Sequence, residues 1–208
     1  WSPAEANAST GGSGTAADGC HRIQDSTPPL VGQMLPWTHA VFGYLLLLVL
    51  AGYLGRGLSR AELAAVIVGT QLPDIVDKPL AWWFSLLPSG RSLAHSLLVA
   101  VPLSVVVLAY AWHRSHPEAG VAFGLGYASH LIGDTYVAVI YWRPEELTFL
   151  LWPLLPAYPY DDFAGFTDFL LRLTVSREFI VFLLAAAAVG CVFSVQFARA
   201  PWFLPRSE

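Results

Sequence analysis

Long apolar runs, separated by short polar segments, divide the chain from Met34 onward. The four longest cover roughly residues 37–54, 92–112, 120–142 and 178–198. A helix rises about 1.5 Å per residue, so about 20 apolar residues cross the hydrocarbon core of a bilayer. A shorter run at 61–72 is followed by Pro73, which we expect to break the helix and leave a half-span. The pattern predicts an all-α, polytopic membrane helix bundle with about four to five spanning or half-spanning helices.

Two segments do not fit this pattern. Residues 1–33 are rich in Ala, Ser, Thr, Gly and Pro and cannot bury enough surface to fold. Met34, the sole methionine, stands directly before the first apolar run. We therefore expect 1–33 to be a disordered or non-native N-terminal extension, with 34–208 as the membrane-embedded helical domain. Residues 147–176 are mixed in character, and we expect them to lie on the membrane surface with a short helix at 166–173.

Composition supports the membrane assignment. Of the 208 residues, 55% are hydrophobic and 12% charged, whereas soluble domains carry about 25% charged residues. The net charge of −4 provides no basic face for nucleic acid. The two cysteines, Cys20 and Cys191, have no zinc-site or disulfide spacing. We expect an integral protein of the inner or plasma membrane that contacts lipids and binds no nucleic acid.

Two ionisable residues interrupt the third long apolar run. His130 and Asp134 are four residues apart, so a helix places both on one face. A charge at membrane depth usually faces a cavity or a partner. A histidine and a carboxylate at this spacing can ligate one metal ion. The alternative is a hydrogen bond that joins two helices.

Alternation of the helices across the bilayer carries more residues of this kind to the same side. We expect six metal ligands there: His39, Asp74, Asp77, His95, His130 and Asp134. A mixed His and Asp set favours zinc, manganese or iron over calcium, and we expect one or two divalent ions, zinc or manganese first. The alternatives are an interfacial role for His39, solvated helix-end positions for the two earlier carboxylates, and a bond from His95 to a backbone carbonyl.

Two residues are candidates for a catalytic role. Arg91 lies four residues before His95, and we expect both on one face near the start of a helix over 92–112. A guanidinium there can clamp a phosphate or carboxylate group. One carboxylate, with Asp77 as the candidate, can act as general base instead of as a ligand.

Four short elements, in this order, are similar to those of a known family. They are Thr38-His39, Leu72-Pro-Asp-Ile-Val-Asp77, Arg91-Ser-Leu-Ala-His-Ser96 and Gly126-Tyr-Ala-Ser-His-Leu-Ile-Gly-Asp134. Over roughly residues 34–142 the chain resembles the membrane-bound metal-dependent hydrolases of the YdjM type, also described as LexA-binding and inner-membrane-associated. The resemblance implies a metal-dependent hydrolase. Gly90 stands where family members often have a histidine before the arginine, which removes one potential ligand.

Three functions are compatible with these residues. The first is a membrane-embedded metal-dependent hydrolase acting on a lipid or other amphiphile, with a phosphoester as the leading substrate. The second is a metal-independent lipid phosphatase of the phosphatidic-acid-phosphatase type, since Pro88-Ser-Gly-Arg91 resembles that family's Pro-Ser-Gly-His but ends in arginine. The third is a non-enzymatic ion-coupled carrier or membrane anchor. Sensitivity to chelators separates the first two, and metal flux without hydrolysis indicates the third.

Overall fold

Five α-helices and one 3₁₀ helix follow one another in residues 36–158 and 177–204, the parts of the chain that a computed structural model describes. The all-α prediction is confirmed for these ranges, which contain no β-strand. The α-helices are α1 (Pro36–Tyr53), α2 (Arg60–Trp82), α3 (Leu97–His113), α4 (Pro117–Ile140) and α5 (Arg177–Arg199). The 3₁₀ helix, Pro144–Leu151, follows α4.

The membrane-spanning part of the prediction is not supported. Among the helices within 36–158 and 177–204, none combines the length and the apolar character needed to cross a membrane. The predicted N-terminal extension and the surface helix at 166–173 lie outside the described residues.

Helix α2 corrects the predicted half-span. It does not end before Pro73 but continues through Pro73 and Pro79 to Trp82. Each proline removes one helical hydrogen bond, yet the helix continues past both. The first turn has a complete capping box in which the Ser59 side chain accepts from Glu62 N. Asp74 and Asp77 therefore lie on the second half of a continuous helix rather than in a loop.

Helix α3 begins later than the pattern predicts. Ser96 is its N-cap, and its hydroxyl accepts from the backbone N–H of Leu98 at 3.2 Å. His95 therefore lies in the irregular connection between α2 and α3, not one turn inside a helix. The N–H groups of Ser92, Ala94 and His95 donate to the Asp77 carboxylate, so this stretch bonds to α2 instead of forming its own helical turn.

Helix α4 lies at the centre and contacts α1, α2, α3 and the 3₁₀ helix. Its approach to α2 depends on glycine. A Cβ at Gly126 would lie 2.4 Å from the carbonyl oxygen of Val66, and one at Gly69 would lie 2.3 Å from that of Phe123. The two backbones touch where larger residues would hold the helices apart, so polar groups one turn further along α4 come within reach of the α2 backbone.

Candidate metal centre

The structure brings all six predicted ligand residues into one buried cluster. Helix α1 contributes His39, α2 contributes the two earlier aspartates, the α2–α3 connection contributes His95, and α4 contributes the last pair. None is more than 8% exposed. Apart from the i,i+4 pair on α4 and the aspartates on α2, the residues come from separate parts of the chain and meet only through the packing of the helices around α4.

Three of these residues form a compact triangle of ligand atoms. His130 Nε2 lies 3.1 Å from His95 Nε2, and Asp134 Oδ2 lies 3.2 Å from His95 Nε2 and 3.4 Å from His130 Nε2. A tetrahedral zinc ion with bonds of about 2.0–2.1 Å holds its ligand atoms about 3.3 Å apart. The triangle therefore has the dimensions of three ligands around one ion.

A second group overlaps the first. The ligand atoms of His39, Asp74 and His130 all lie within 4.8 Å of one another, and His130 Nε2 is 3.7 Å from Asp74 Oδ1. The His39 and His130 rings stack with their centroids 3.9 Å apart. One imidazole nitrogen binds one ion. The two groups are therefore either alternative positions for a single ion or two neighbouring ion sites, of which only one uses His130 as a ligand.

The backbone of α2 sets the tautomer of His130. Its Nδ1 lies 2.6 Å from the carbonyl oxygen of Thr70, and a carbonyl can only accept, so Nδ1 carries the hydrogen. Nε2, the nitrogen that carries the lone pair in this tautomer of the neutral ring, faces His95 and the carboxylates. A metal-ligating histidine commonly donates its other N–H in this way. The close approach at Gly126, one turn earlier, brings this carbonyl within reach.

Asp77 lies on the far side of His95 from the other carboxylates. One oxygen accepts from Ala94 N at 2.8 Å. The other contacts Ser92 N at 2.9 Å, His95 N at 3.2 Å and His95 Nδ1 at 2.8 Å. With both oxygens engaged, Asp77 belongs to neither group of ligand atoms. It matches the carboxylate behind a metal-bound histidine, so the geometry favours positioning over the expected roles of ligand or general base.

The His95 ring contacts all three carboxylates of the cluster. Burial by itself lowers the pKa of this imidazole, but its contacts with the carboxylates of Asp134, Asp74 and Asp77 raise the pKa to about 10. The metal-free ring is therefore protonated at neutral pH. An ion that binds at Nε2 must displace this proton.

The donor atoms of the centre suit a metal ion. Within the described part of the chain, His39 Nδ1 and one oxygen each of Asp74 and Asp134 make no regular hydrogen bond, although Asp74 Oδ2 pairs with Lys78 at 2.7 Å and Asp134 Oδ2 lies 3.2 Å from His95 Nε2. Such groups cost about 1–3 kcal/mol each when left unsatisfied. A divalent ion at the triangle would supply a partner for Asp134 Oδ2. The mixed N and O donor set of these groups can hold a metal ion.

Two cations flank the carboxylates. Arg91 Nη2, predicted to act here, lies 3.1 Å from Asp134 Oδ1. Lys78 Nζ, whose role the sequence pattern did not indicate, lies 2.7 Å from Asp74 Oδ2. Lys78 lies four residues after Asp74 in the sequence. This spacing brings the two side chains together only if the helix continues past Pro73.

A family model described as YdjM inner membrane protein matches residues 34–203, and the chain belongs to this family. The match includes all the residues of the cluster and extends past the roughly 34–142 range of the motifs. No curated protein and no solved structure shows significant similarity to the chain.

Proposed function

We propose that this member of the YdjM family is a membrane-embedded, metal-dependent hydrolase that acts on a lipid or other amphiphilic substrate. The observation that carries the proposal is the triangle formed by His95, His130 and Asp134, whose ligand atoms lie 3.1 Å to 3.4 Å apart. These three buried ionisable residues come from two segments, α4 and the α2–α3 connection, and keeping such groups buried close together is energetically costly unless they are neutralised.

The residues of the cluster divide into ligands and supports. The triangle, with His39 and Asp74 beside it, would hold one or two divalent ions, zinc or manganese. When bound, such an ion supplies a Lewis acid that activates water and polarises the scissile bond. The Asp77 oxygens already accept four N–H groups. When a single ion occupies the triangle of His95, His130 and Asp134, Asp74, 7% exposed and with Oδ1 facing the histidines, is better placed to accept a proton from the attacking water.

The exposed apolar surface supports a membrane location and an amphiphilic substrate. Large side chains project outward from α3 and α5, among them Val101, Val105, Tyr110, Val181, Leu184 and Val192. Extended apolar patches of this kind mark surfaces that contact other proteins or membranes. The family description, an inner membrane protein, agrees with lipid as the contact. A hydrolase in this setting meets its substrate from the lipid phase.

Metal content of the purified protein tests the proposal directly. Elemental mass spectrometry should find one or two zinc or manganese ions per chain, and Asp134→Asn and His130→Ala should each lose them together with any hydrolysis of amphiphilic esters. His113→Ala, an exposed residue at the end of α3, is the matched histidine control and should retain both.

The outcomes separate the three candidate functions. Wild-type protein that binds no stoichiometric ion after incubation with zinc and manganese refutes the proposal. Hydrolysis that persists in metal-free protein with chelator would indicate the metal-independent lipid phosphatase. Metal flux into liposomes without hydrolysis would indicate the carrier.

A further inference from the structure

We infer that Lys78 and Arg91 form an anion-binding pair beside the metal centre and that the bond cleaved belongs to a phosphoester. The inference rests on the proposed hydrolase function. It adds Lys78 to the site and names the group that the site recognises.

Each cation contacts one carboxylate of the centre, and each does so through the oxygen that lies further from His95. Asp74 directs Oδ1 to His95 Nε2 at 3.5 Å and Oδ2 to Lys78 at 2.7 Å. Asp134 directs Oδ2 to the same nitrogen at 3.2 Å and Oδ1 to Arg91 at 3.1 Å. Asp74 and Asp134 thus each link one of the two cations to His95 Nε2. A single carboxylate would therefore separate each cation from an ion bound at that nitrogen.

The cations are more accessible than the carboxylates they contact. The Lys78 and Arg91 side chains are 26% and 14% exposed, while those of Asp74 and Asp134 are 8% and 2% exposed. An incoming substrate therefore meets the ammonium and guanidinium groups before it meets the buried carboxylates. Lys78 Nζ also lies 5.9 Å from the centroid of the Trp82 ring, which limits the directions this flexible side chain can take.

The charge balance favours an anionic substrate. The three aspartates carry three negative charges, and Lys78, Arg91 and one divalent ion together carry four positive charges when the ligand histidines are neutral. The centre with one bound ion then has a net positive charge. Without Lys78 and Arg91 its net charge would be negative. A neutral carboxyl ester or amide gains little from this arrangement, whereas a phosphoryl group spreads charge over three oxygens that several cations can contact at once.

The reaction follows from this geometry. The oxygen of water forms a bond to phosphorus, and the phosphorus–oxygen bond to the alcohol breaks. The electron pair of the broken bond stays on the alcohol oxygen, which takes up a proton, while a carboxylate of the centre accepts the proton lost by water. The products are an alcohol and a phosphate, and no further reactant is needed.

Binding of inorganic phosphate to the zinc-loaded protein tests the pair. Zinc content is measured first for every variant, and phosphate binding is then measured by titration calorimetry. Lys78→Gln and Arg91→Gln should bind phosphate about ten- to a hundredfold more weakly, the effect of one charge-assisted hydrogen bond. Lys78→Arg should retain most of the affinity for phosphate. Lys78→Gln should retain most of its bound zinc. Arg114→Gln, an exposed residue at the opposite end of α3, should match wild type.

Hydrolysis assays identify the source of the phosphate. Cleavage of dioctanoyl phosphatidate in mixed micelles indicates a lipid phosphoester, and cleavage of p-nitrophenyl phosphate alone indicates a soluble one; either supports the inference. Cleavage of p-nitrophenyl butyrate without either phosphoester overturns it. Protein that holds zinc but binds phosphate equally with and without Lys78 overturns the inference and leaves the hydrolase proposal intact, whereas protein that binds neither zinc nor manganese overturns both.

Discussion

Replacing Asp77 with asparagine distinguishes a residue that positions His95 from one that binds the ion. The carboxylate accepts four N–H groups, three from the backbone and one from the His95 ring, at 2.8 Å to 3.2 Å. The substitution keeps the size of the side chain and changes only its charge and one of its two oxygens. Its effect therefore reports on these contacts and not on packing.

The magnitude follows from the number of acceptors. An amide has one oxygen, so either orientation points an NH₂ group at a backbone N–H. The better orientation keeps the oxygen on the side that accepts three donors and loses the bond from Ala94 N. An unsatisfied buried donor costs about 1–3 kcal/mol, and the remaining bonds lose their charge assistance. We expect the free energy of unfolding of the metal-free protein to fall by about 2–4 kcal/mol, and the metal affinity to fall about 10- to 100-fold because the ring is held less firmly.

Two measurements check this expectation. Competition with a chromophoric chelator gives the zinc affinity in detergent, and circular dichroism during thermal unfolding gives the stability. Asp77→Asn should still bind zinc stoichiometrically at saturation, whereas Asp134→Asn, which alters a member of the ligand triangle, should not. The opposite pattern would make Asp77 a ligand and refute the reasoning. Unchanged affinity and stability would show that the four contacts have no consequence.

Two further predictions concern the packing and the protonation of the centre. Gly126→Ala places a Cβ 2.4 Å from a carbonyl oxygen of α2, so the free energy of unfolding should fall by about 1–3 kcal/mol and zinc binding should weaken; Gly52→Ala, with nothing within 4 Å of its Cβ, is the control, and equal effects on the two would contradict the packing argument. Because the pKa of His95 in the metal-free protein is about 10, zinc binding at neutral pH should release about one proton, and the affinity should fall about tenfold for each unit by which the pH is lowered. Calorimetry in two buffers of different ionisation enthalpy should give different apparent binding enthalpies, and identical values would contradict the prediction.

The apolar pattern was sufficient to locate several helices. The runs predicted at 37–54, 120–142 and 178–198 correspond to α1, α4 and α5 within a few residues. Helical periodicity was also enough to place His130 and Asp134 on one face of α4, where their side chains lie 3.4 Å apart. These features depend on residues close in sequence, so the local pattern determines them.

The local pattern failed where distant groups decide the structure. Pro73 signals a helix end, yet α2 continues through it. The apolar run from Ser92 suggests a helix, yet the first turn is diverted to the Asp77 carboxylate. On either side of Pro73, Thr70 and Asp77 contact residues outside α2, and the stretch before α3 donates to Asp77. A short window of sequence does not contain both partners of these contacts.

For the cluster, too, some features follow from the sequence and others only from the tertiary structure. The sequence alone identified the six residues that meet in the cluster, because histidine and aspartate in apolar surroundings are few. Tertiary structure decided how they are used: Asp77 supports His95, Thr70 offers its carbonyl to His130, and Lys78 joins the centre. These roles depend on the direction in which each ligand atom points, and direction is set by the packing of α2 against α4 through glycine rather than by residue type.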